Sequence, residues 1–278
     1  MFGAGRHAAP RVALALAVAV LMTSSGQAQA RKAPAEGPPP PQAWSMNLYD
    51  ASIVRYQNPD LNGCAAAATV SMLNLVAMYS TGYTPPPRGS SLPTNPFRWQ
   101  IDISWNALEG VMWFERKHMT MLKGFKGSDP HGWRNALNQF GWGSMRAGVY
   151  RDTTYSTFDR AARAVVDDLA RTNKPVGVLG WAGAHAQYIT GYMVQGEDPR
   201  VSDHYTILGV FLSDPLKEAG MKNVYITYKS WKSGRSTGPS AVRLSKYLES
   251  GSTFVDPVDG KVGDTEWRHQ FVLIEPTR

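Results

Sequence analysis

Cysteine is almost absent from this sequence, since Cys64 is the only one in 278 residues. A single cysteine cannot form a disulfide within its own chain, which excludes a fold stabilised by intrachain disulfides. Three roles stay open for it: a bridge to another molecule, a reactive thiol, or a small buried hydrophobic side chain.

Long apolar runs are also missing. The clearest one, Val12 to Met22, has about 11 residues, well short of the roughly 20 that cross a bilayer. Basic residues flank its start and the small residues Ala28 and Ala30 follow it, a pattern typical of a signal peptide. We therefore predict a signal peptide over residues 1–30, cleaved near Ala30, and a secreted, extracellular protein without a transmembrane segment. In an exported protein, an unpaired thiol without a role would be unusual.

Dense charge runs and cofactor motifs are lacking too. The net charge is +7, but the basic residues are scattered, so no local footprint for nucleic acid exists. A mildly positive surface is compatible with association with an anionic cell wall. The sequence has no His-x-x-x-His motif and no second cysteine, and Gly180–Gly183 lacks the Lys-Ser/Thr of a nucleotide loop. We expect no nucleic-acid partner, no metal and no cofactor.

Composition divides the chain into three parts. After the signal peptide, residues 31–43 are rich in Ala and Pro and include four consecutive prolines, which predicts an extended spacer. Residues 44–278 are dense in aromatic and aliphatic side chains, with no further linker and no internal repeat. They are predicted to form one domain.

Helical signals dominate the first half of that domain and strand signals the second. The predicted helices run over residues 63–79, 104–119, 131–140 and 156–171. The predicted strands run over residues 175–179, 185–194, 205–212, 223–228 and 271–275. This order predicts an α+β fold in which a helical half packs on an antiparallel sheet.

The predicted helix over residues 63–79 begins beside Cys64. Unpaired backbone N–H groups and the helix dipole lower the pKa of a thiol at a helix N-terminus, which makes it nucleophilic. Such a nucleophile needs a base. His185, at the start of an apolar strand after the flexible Trp181-Ala182-Gly183, is the best placed of the six histidines, although a structural histidine is the simpler interpretation of that site taken alone.

Two further residues complete a candidate site. Asp214 ends the next predicted strand, before Pro215, where a carboxylate could orient the imidazole of His185; Asp-Pro is also a common turn. Gln57 lies seven residues before Cys64 and could join the Cys64 backbone N–H in binding an oxyanion; otherwise it is a polar loop residue.

The order Gln57, Cys64, His185, Asp214 resembles the papain-like cysteine peptidases of the bacteriocin-processing (double-glycine peptidase-like) family. The match covers roughly Tyr56 to Leu216, and its best pieces are the cysteine helix and the strand that begins at His185. The resemblance implies a papain-like fold, with Cys64 as nucleophile, His185 as general base and acid, Asp214 as orienting acid and Gln57 as oxyanion donor.

The expected function is that of a secreted papain-like cysteine peptidase or related amide hydrolase, which acts on a peptide or protein through a thioester acyl-enzyme. The alternative is a catalytically inactive papain-fold module that binds peptides or cell-wall glycopeptide. A large separation between Cys64 and His185 would favour the alternative, because a nucleophile and its base must reach hydrogen-bond range.

Overall fold

A computed structural model describes residues 41–54, 63–81, 111, 114, 128–216, 222–234, 244–247, 258, 260 and 266–277. The predicted signal peptide, most of the predicted spacer and Gln57 lie outside the described residues. So does most of the helix predicted over residues 104–119, of which Val111 and Phe114 are described and helical.

The described elements combine four α-helices with seven β-strands. The helices are α1 (Cys64–Thr81), α2 (Pro130–Trp142), α3 (Phe158–Thr172) and α4 (Tyr228–Ser233). The strands are β1 (Ala43–Asn47), β2 (Tyr150–Tyr155), β3 (Val176–Gly180), β4 (His185–Gly196), β5 (Tyr205–Ser213), β6 (Val224–Thr227) and β7 (Phe271–Pro276). This confirms the α+β class.

All seven strands belong to one antiparallel sheet, in which six follow the order β2-β7-β3-β4-β5-β6 and the seventh, β1, pairs with β4. The 12-residue strand β4 is its longest member and organises the centre. Along one edge of β4, β3 pairs with residues 185–189 and β1 pairs with residues 191–195. Along the other edge, β5 follows β4 in antiparallel register and ends at Ser213.

Alternation along the strands divides the core between the two faces of the sheet, because successive strand residues point to opposite sides. Ile189 of β4 packs with Val165 and Leu169 of α3, together with Trp231 of α4. Tyr188, the preceding residue, packs with a second cluster that includes Met72 and Leu75 of α1 and Trp133 and Leu137 of α2. Helices therefore cover both faces of the sheet.

Helix ends follow the local sequence. Asp129 caps α2 by accepting a hydrogen bond from the Gly132 backbone N–H, and Gly143 ends the helix in the left-handed conformation. The Thr157 side chain caps α3 in the same way, accepting from the Arg160 backbone N–H. The prediction of a helix starting near Ser156 was thus right about the helix, but its capping side chain is Thr157.

The prediction that helices fill the first half of the domain and strands the second half was wrong in detail. β1 precedes α1, and β2 lies between α2 and α3, so strands occur in both halves of the chain. β2 has the sequence Tyr-Arg-Asp-Thr-Thr-Tyr, in which only the first residue is fully buried, and it therefore lacks an apolar strand signal. β1 begins at Ala43, the last residue of the predicted spacer. No helix of the described residues is both long and apolar enough to cross a membrane.

Candidate active site

Cys64 is the first residue of α1 and its side chain is partly buried. The four alanines that follow it are buried, three of them fully, so the first turn of α1 packs closely against its neighbours. α1 packs on β4, the strand that begins with His185. Small side chains thus allow the start of α1 to approach the start of β4.

The thiol of Cys64 is hydrogen-bonded to the imidazole of His185, which is only 3 % exposed. The Nε2 atom of the same ring lies 2.8 Å from Oδ1 of Asp214. Because Nε2 faces the carboxylate, Nδ1 is the ring nitrogen left for the sulfur. The imidazole therefore lies between a thiol and a carboxylate, with one nitrogen for each.

Asp214 follows the last residue of β5 and is 1 % exposed. Its Oδ1 atom also accepts a hydrogen bond from the Leu216 backbone N–H at 2.7 Å. Its Oδ2 atom accepts one from the side-chain amide of Gln187, also at 2.7 Å. Three donors converge on one buried carboxylate, which fixes its direction.

In the Cys64–His185 pair, hydrogen bonds and charges shift both pKa values in the direction opposite to the effect of burial. Burial alone would raise the pKa of Cys64, but the hydrogen bond and the charge of His185, together with the backbone N–H groups of Ala186 and Ala65, lower it below its usual value. Burial alone would lower the pKa of His185, yet the hydrogen bonds and charges of Asp214 and Cys64 raise it to about 9. Both shifts favour a thiolate next to an imidazolium near neutral pH.

Trp181 covers one face of the imidazole. Its ring stacks on His185 with the centroids 4.4 Å apart and the planes 23° from parallel, and 46 % of the residue remains exposed. Trp181 belongs to a 3₁₀ turn, Trp181–Gly183, that links β3 to β4. An aromatic surface is therefore open to solvent directly beside the imidazole.

Three of the four predicted site residues meet at this point: Cys64, His185 and Asp214. They come from a helix start, a strand start and a strand end that lie far apart in sequence. The fourth, Gln57, lies outside the described residues, so its role as oxyanion donor stays a prediction.

Two residues of the site escaped the sequence analysis. Gln187 lies two positions after His185 and therefore on the same side of β4, a periodicity that could have identified it. Ser245 accepts a hydrogen bond from the backbone N–H of Ala182 at 2.7 Å, from a segment 63 residues further along the chain. No local signal links Ser245 to the site.

A second polar cluster is buried near the start of α2. Ligand atoms of His131, Asp152 and Glu266 all lie within 4.8 Å of one another and form a group that could hold a metal ion. However, Asp152 already accepts hydrogen bonds from Arg134 at 2.7 Å and from the Trp267 indole at 3.0 Å. Because the Arg134 guanidinium already neutralises the Asp152 carboxylate, it would repel a metal ion bound to the same group. We therefore interpret the cluster as a structural network.

No family model, curated protein or solved structure matches this chain. Its geometry and chemistry are therefore the basis for any functional assignment.

Proposed function

We propose that this protein is a secreted cysteine peptidase or related amide hydrolase with a papain-like fold. Cys64 would be the nucleophile, His185 the general base and acid, and Asp214 the residue that orients the imidazole. The observation that carries the proposal is the hydrogen bond between the only thiol of the chain and an imidazole whose other nitrogen faces a buried carboxylate.

The first chemical step is acylation of Cys64. The thiolate attacks the carbonyl carbon of the substrate amide, and the carbonyl electron pair moves onto oxygen. The backbone N–H of Cys64, at the start of α1, and the proposed donor Gln57 would stabilise that oxyanion. When the C–N bond breaks, the imidazolium of His185 gives its proton to the leaving amine, and a thioester remains on Cys64.

The second step is hydrolysis of the thioester. His185, now neutral, takes a proton from water as the water oxygen attacks the thioester carbonyl. The C–S bond then breaks, which releases the carboxylic acid and restores the thiolate and imidazolium. Throughout both steps the Asp214 carboxylate stabilises the charged ring and holds its Nε2 edge in place.

The alternative of an inactive binding module is less well supported by these contacts. A module that only binds peptides does not need a thiol, an imidazole and a carboxylate joined by hydrogen bonds. Large pKa shifts that arise from specific charge partners are also concentrated at catalytic sites. The exposed aromatic surface of Trp181 is compatible with both functions, because an enzyme must bind its substrate as well.

Alkylation of Cys64 tests the proposal directly, since the chain has no other cysteine to react. At pH 6, we expect iodoacetamide to label the native protein about 10- to 100-fold faster than the urea-unfolded protein, because an ordinary thiol with a pKa of about 8.5 is scarcely ionised at that pH. His185→Ala should remove this advantage. His204→Ala, which changes an exposed histidine, is the matched control.

Turnover of a broad peptide library provides the second measurement. The wild type should cleave members of the library and Cys64→Ala should not. Equal labelling of native and unfolded protein, together with no cleavage, would contradict the proposal.

A further inference from the structure

The turn between β3 and β4 has an unusual backbone. Trp181 and Ala182 have φ angles of 49° and 60°, and Gly183 has a φ angle of 103°. Side chains disfavour this left-handed region, so two adjacent residues that are not glycine need outside contacts to stay there. The turn leads directly into His185.

Ser245 supplies one of those contacts. Its Oγ atom accepts the hydrogen bond from the Ala182 backbone N–H at 2.7 Å, and its own backbone N–H donates to the Leu179 carbonyl at 3.2 Å. Ser245 therefore joins the end of β3 to the middle of the turn. Without the Ser245 hydroxyl, the Ala182 backbone N–H would lose this acceptor.

Tyr247 supplies the second contact. A Cβ atom built at Gly183 would lie 2.5 Å from Cδ2 of Tyr247, so the ring lies directly against the turn. Tyr247 is fixed in its own place by backbone hydrogen bonds to Gln270 and His269, both 2.8 Å long. Its ring also packs against Trp267, with the centroids 5.5 Å apart. The segment Leu244–Tyr247 thus connects the turn to the start of β7.

The indole of Trp181 stacks on the imidazole of His185 only if the turn keeps this backbone conformation. Asp214 and Cys64 hold the imidazole through its edge, and Trp181 is the aromatic contact on its face. Edge contacts alone leave the ring free to tilt about the line joining its two nitrogens. A stacked indole opposes that tilt.

We propose that Leu244–Tyr247 is a positioning segment for the active site: Ser245 and Tyr247 hold the left-handed turn, and Trp181 thereby fixes the plane of the His185 ring. The inference rests on the proposed function of His185. It also gives a role to a part of the chain that follows the proposed catalytic residues and contributes no reacting group.

Ser245→Ala tests the segment with Ser245→Thr as the conservative variant, because threonine keeps a hydroxyl at the same position. Ser233→Ala, which changes an exposed serine on α4, is the matched control. We expect Ser245→Ala to increase hydrogen exchange at the Ala182 amide at least 10-fold. We also expect it to lower kcat about 10-fold with little change in KM, and to reduce the labelling rate of Cys64 at pH 6 by a similar factor. Ser245→Thr should keep the hydrogen exchange at Ala182, the kcat and the labelling rate of Cys64 close to their wild-type values.

Gly183→Ala gives a second route that leaves Ser245 in place. The added Cβ would clash with the Tyr247 ring, so the turn should move and the same loss of kcat and of labelling at pH 6 should follow. Unchanged exchange at Ala182 in Ser245→Ala would overturn the inference. So would faster exchange with unchanged kcat and unchanged labelling.

Failure of the proposed function has a different signature. If His185→Ala labels as fast as the wild type at pH 6, the thiol does not depend on the imidazole, and the proposed function and the positioning role fall together. If His185→Ala is slow and Ser245→Ala equals the wild type, only the positioning role is wrong.

Discussion

The Nε2 atom of His185 lies 2.8 Å from Oδ1 of Asp214, and both side chains are almost fully buried. Removing one partner of such a pair leaves the other in a site that cannot hydrate it. The pair connects the start of β4 to the end of β5, so it is part of the sheet as well as of the proposed active site.

The pH dependence of the proposed reaction follows from the imidazolium. The pKa of His185 is raised from 6.5 to about 9, so the ring keeps its proton well above neutral pH and loses it as the pH rises through about 9. We expect kcat/KM to fall on the alkaline side with an apparent pKa near 9, and to fall on the acid side as the Cys64 thiolate is protonated. The measurement is kcat/KM between pH 4 and pH 10. An alkaline limb near 6.5 would contradict the expected shift.

Asp214→Ala should lower the apparent pKa of the alkaline limb of kcat/KM. Burial lowers the pKa of His185, whereas the hydrogen bond that the Asp214 carboxylate accepts from the ring and the charge of that carboxylate both raise it. Without the carboxylate, burial should dominate, the limb should move towards neutral pH, and kcat/KM should fall about 10²-fold or more. Asp203→Ala, at an exposed turn, is the control and should leave the profile unchanged.

Gln187→Leu tests the role of the hydrogen bond to Oδ2 of Asp214. The variant removes the donor to Oδ2 of Asp214, so a buried carboxylate loses one of its three hydrogen bonds. We expect a loss of stability of about 1–3 kcal/mol and a shift of the alkaline limb of kcat/KM. Urea unfolding and the pH profile measure the two effects. Gln195→Leu, on the same strand, should change neither beyond about 0.5 kcal/mol, and an equal effect of both variants would rule out a specific role for Gln187.

A second buried carboxyl group, away from the active site, should make stability depend on pH. The pKa of Asp168 on α3 is raised to about 7, first by burial and then by the charge of Glu275, which is fully buried on β7. Because the folded protein holds this proton more tightly than the unfolded chain, the stabilisation is complete below about pH 4 and is lost as the pH rises through about 7.

Asp168→Asn should therefore raise the melting temperature at pH 8 by a few degrees and have little effect at pH 4, since a neutral amide mimics the protonated acid. Thermal unfolding at both pH values measures the difference, with the exposed Asp203→Asn as control. A difference between variant and wild type that does not change with pH would show that Asp168 holds no proton in the folded state.

Gly191 of β4 pairs with Asn47 of β1. A Cβ at this position would lie 2.1 Å from the Met46 carbonyl oxygen and 2.7 Å from the Asn47 Cα, so backbone would have to move. We expect Gly191→Ala to destabilise the protein by about 2–3 kcal/mol. In Gly141→Ala the new methyl meets only a terminal methyl of Leu73, a partly buried side chain that can shift, so this control should cost little. Urea unfolding of both variants makes the comparison. Equal midpoints would show that the β1 backbone can move away from the added methyl group at little cost in stability.

Much of the secondary structure could be predicted from local sequence. The alanine-rich run after Cys64, the capped start of α3 and the β-branched run of β4 each agree with the described elements to within a few residues. β1, β2 and α4 were missed. β2 is largely polar, and β1 and α4 are short, so their structures depend on pairing and packing with distant partners rather than on a local pattern.

The sequence by itself determined the candidates: one thiol at a helix start, one histidine at a strand start and one aspartate at a strand end. Local pattern carries that information because helix starts, apolar strands and Asp-Pro turns have short-range signals. Only the tertiary structure decided that Cys64, His185 and Asp214 meet, and that Gln187, Trp181 and Ser245 support them. Those contacts depend on the register of β4 with β5 and on the return of the chain at residues 244–247, and both are set by packing between segments far apart in sequence.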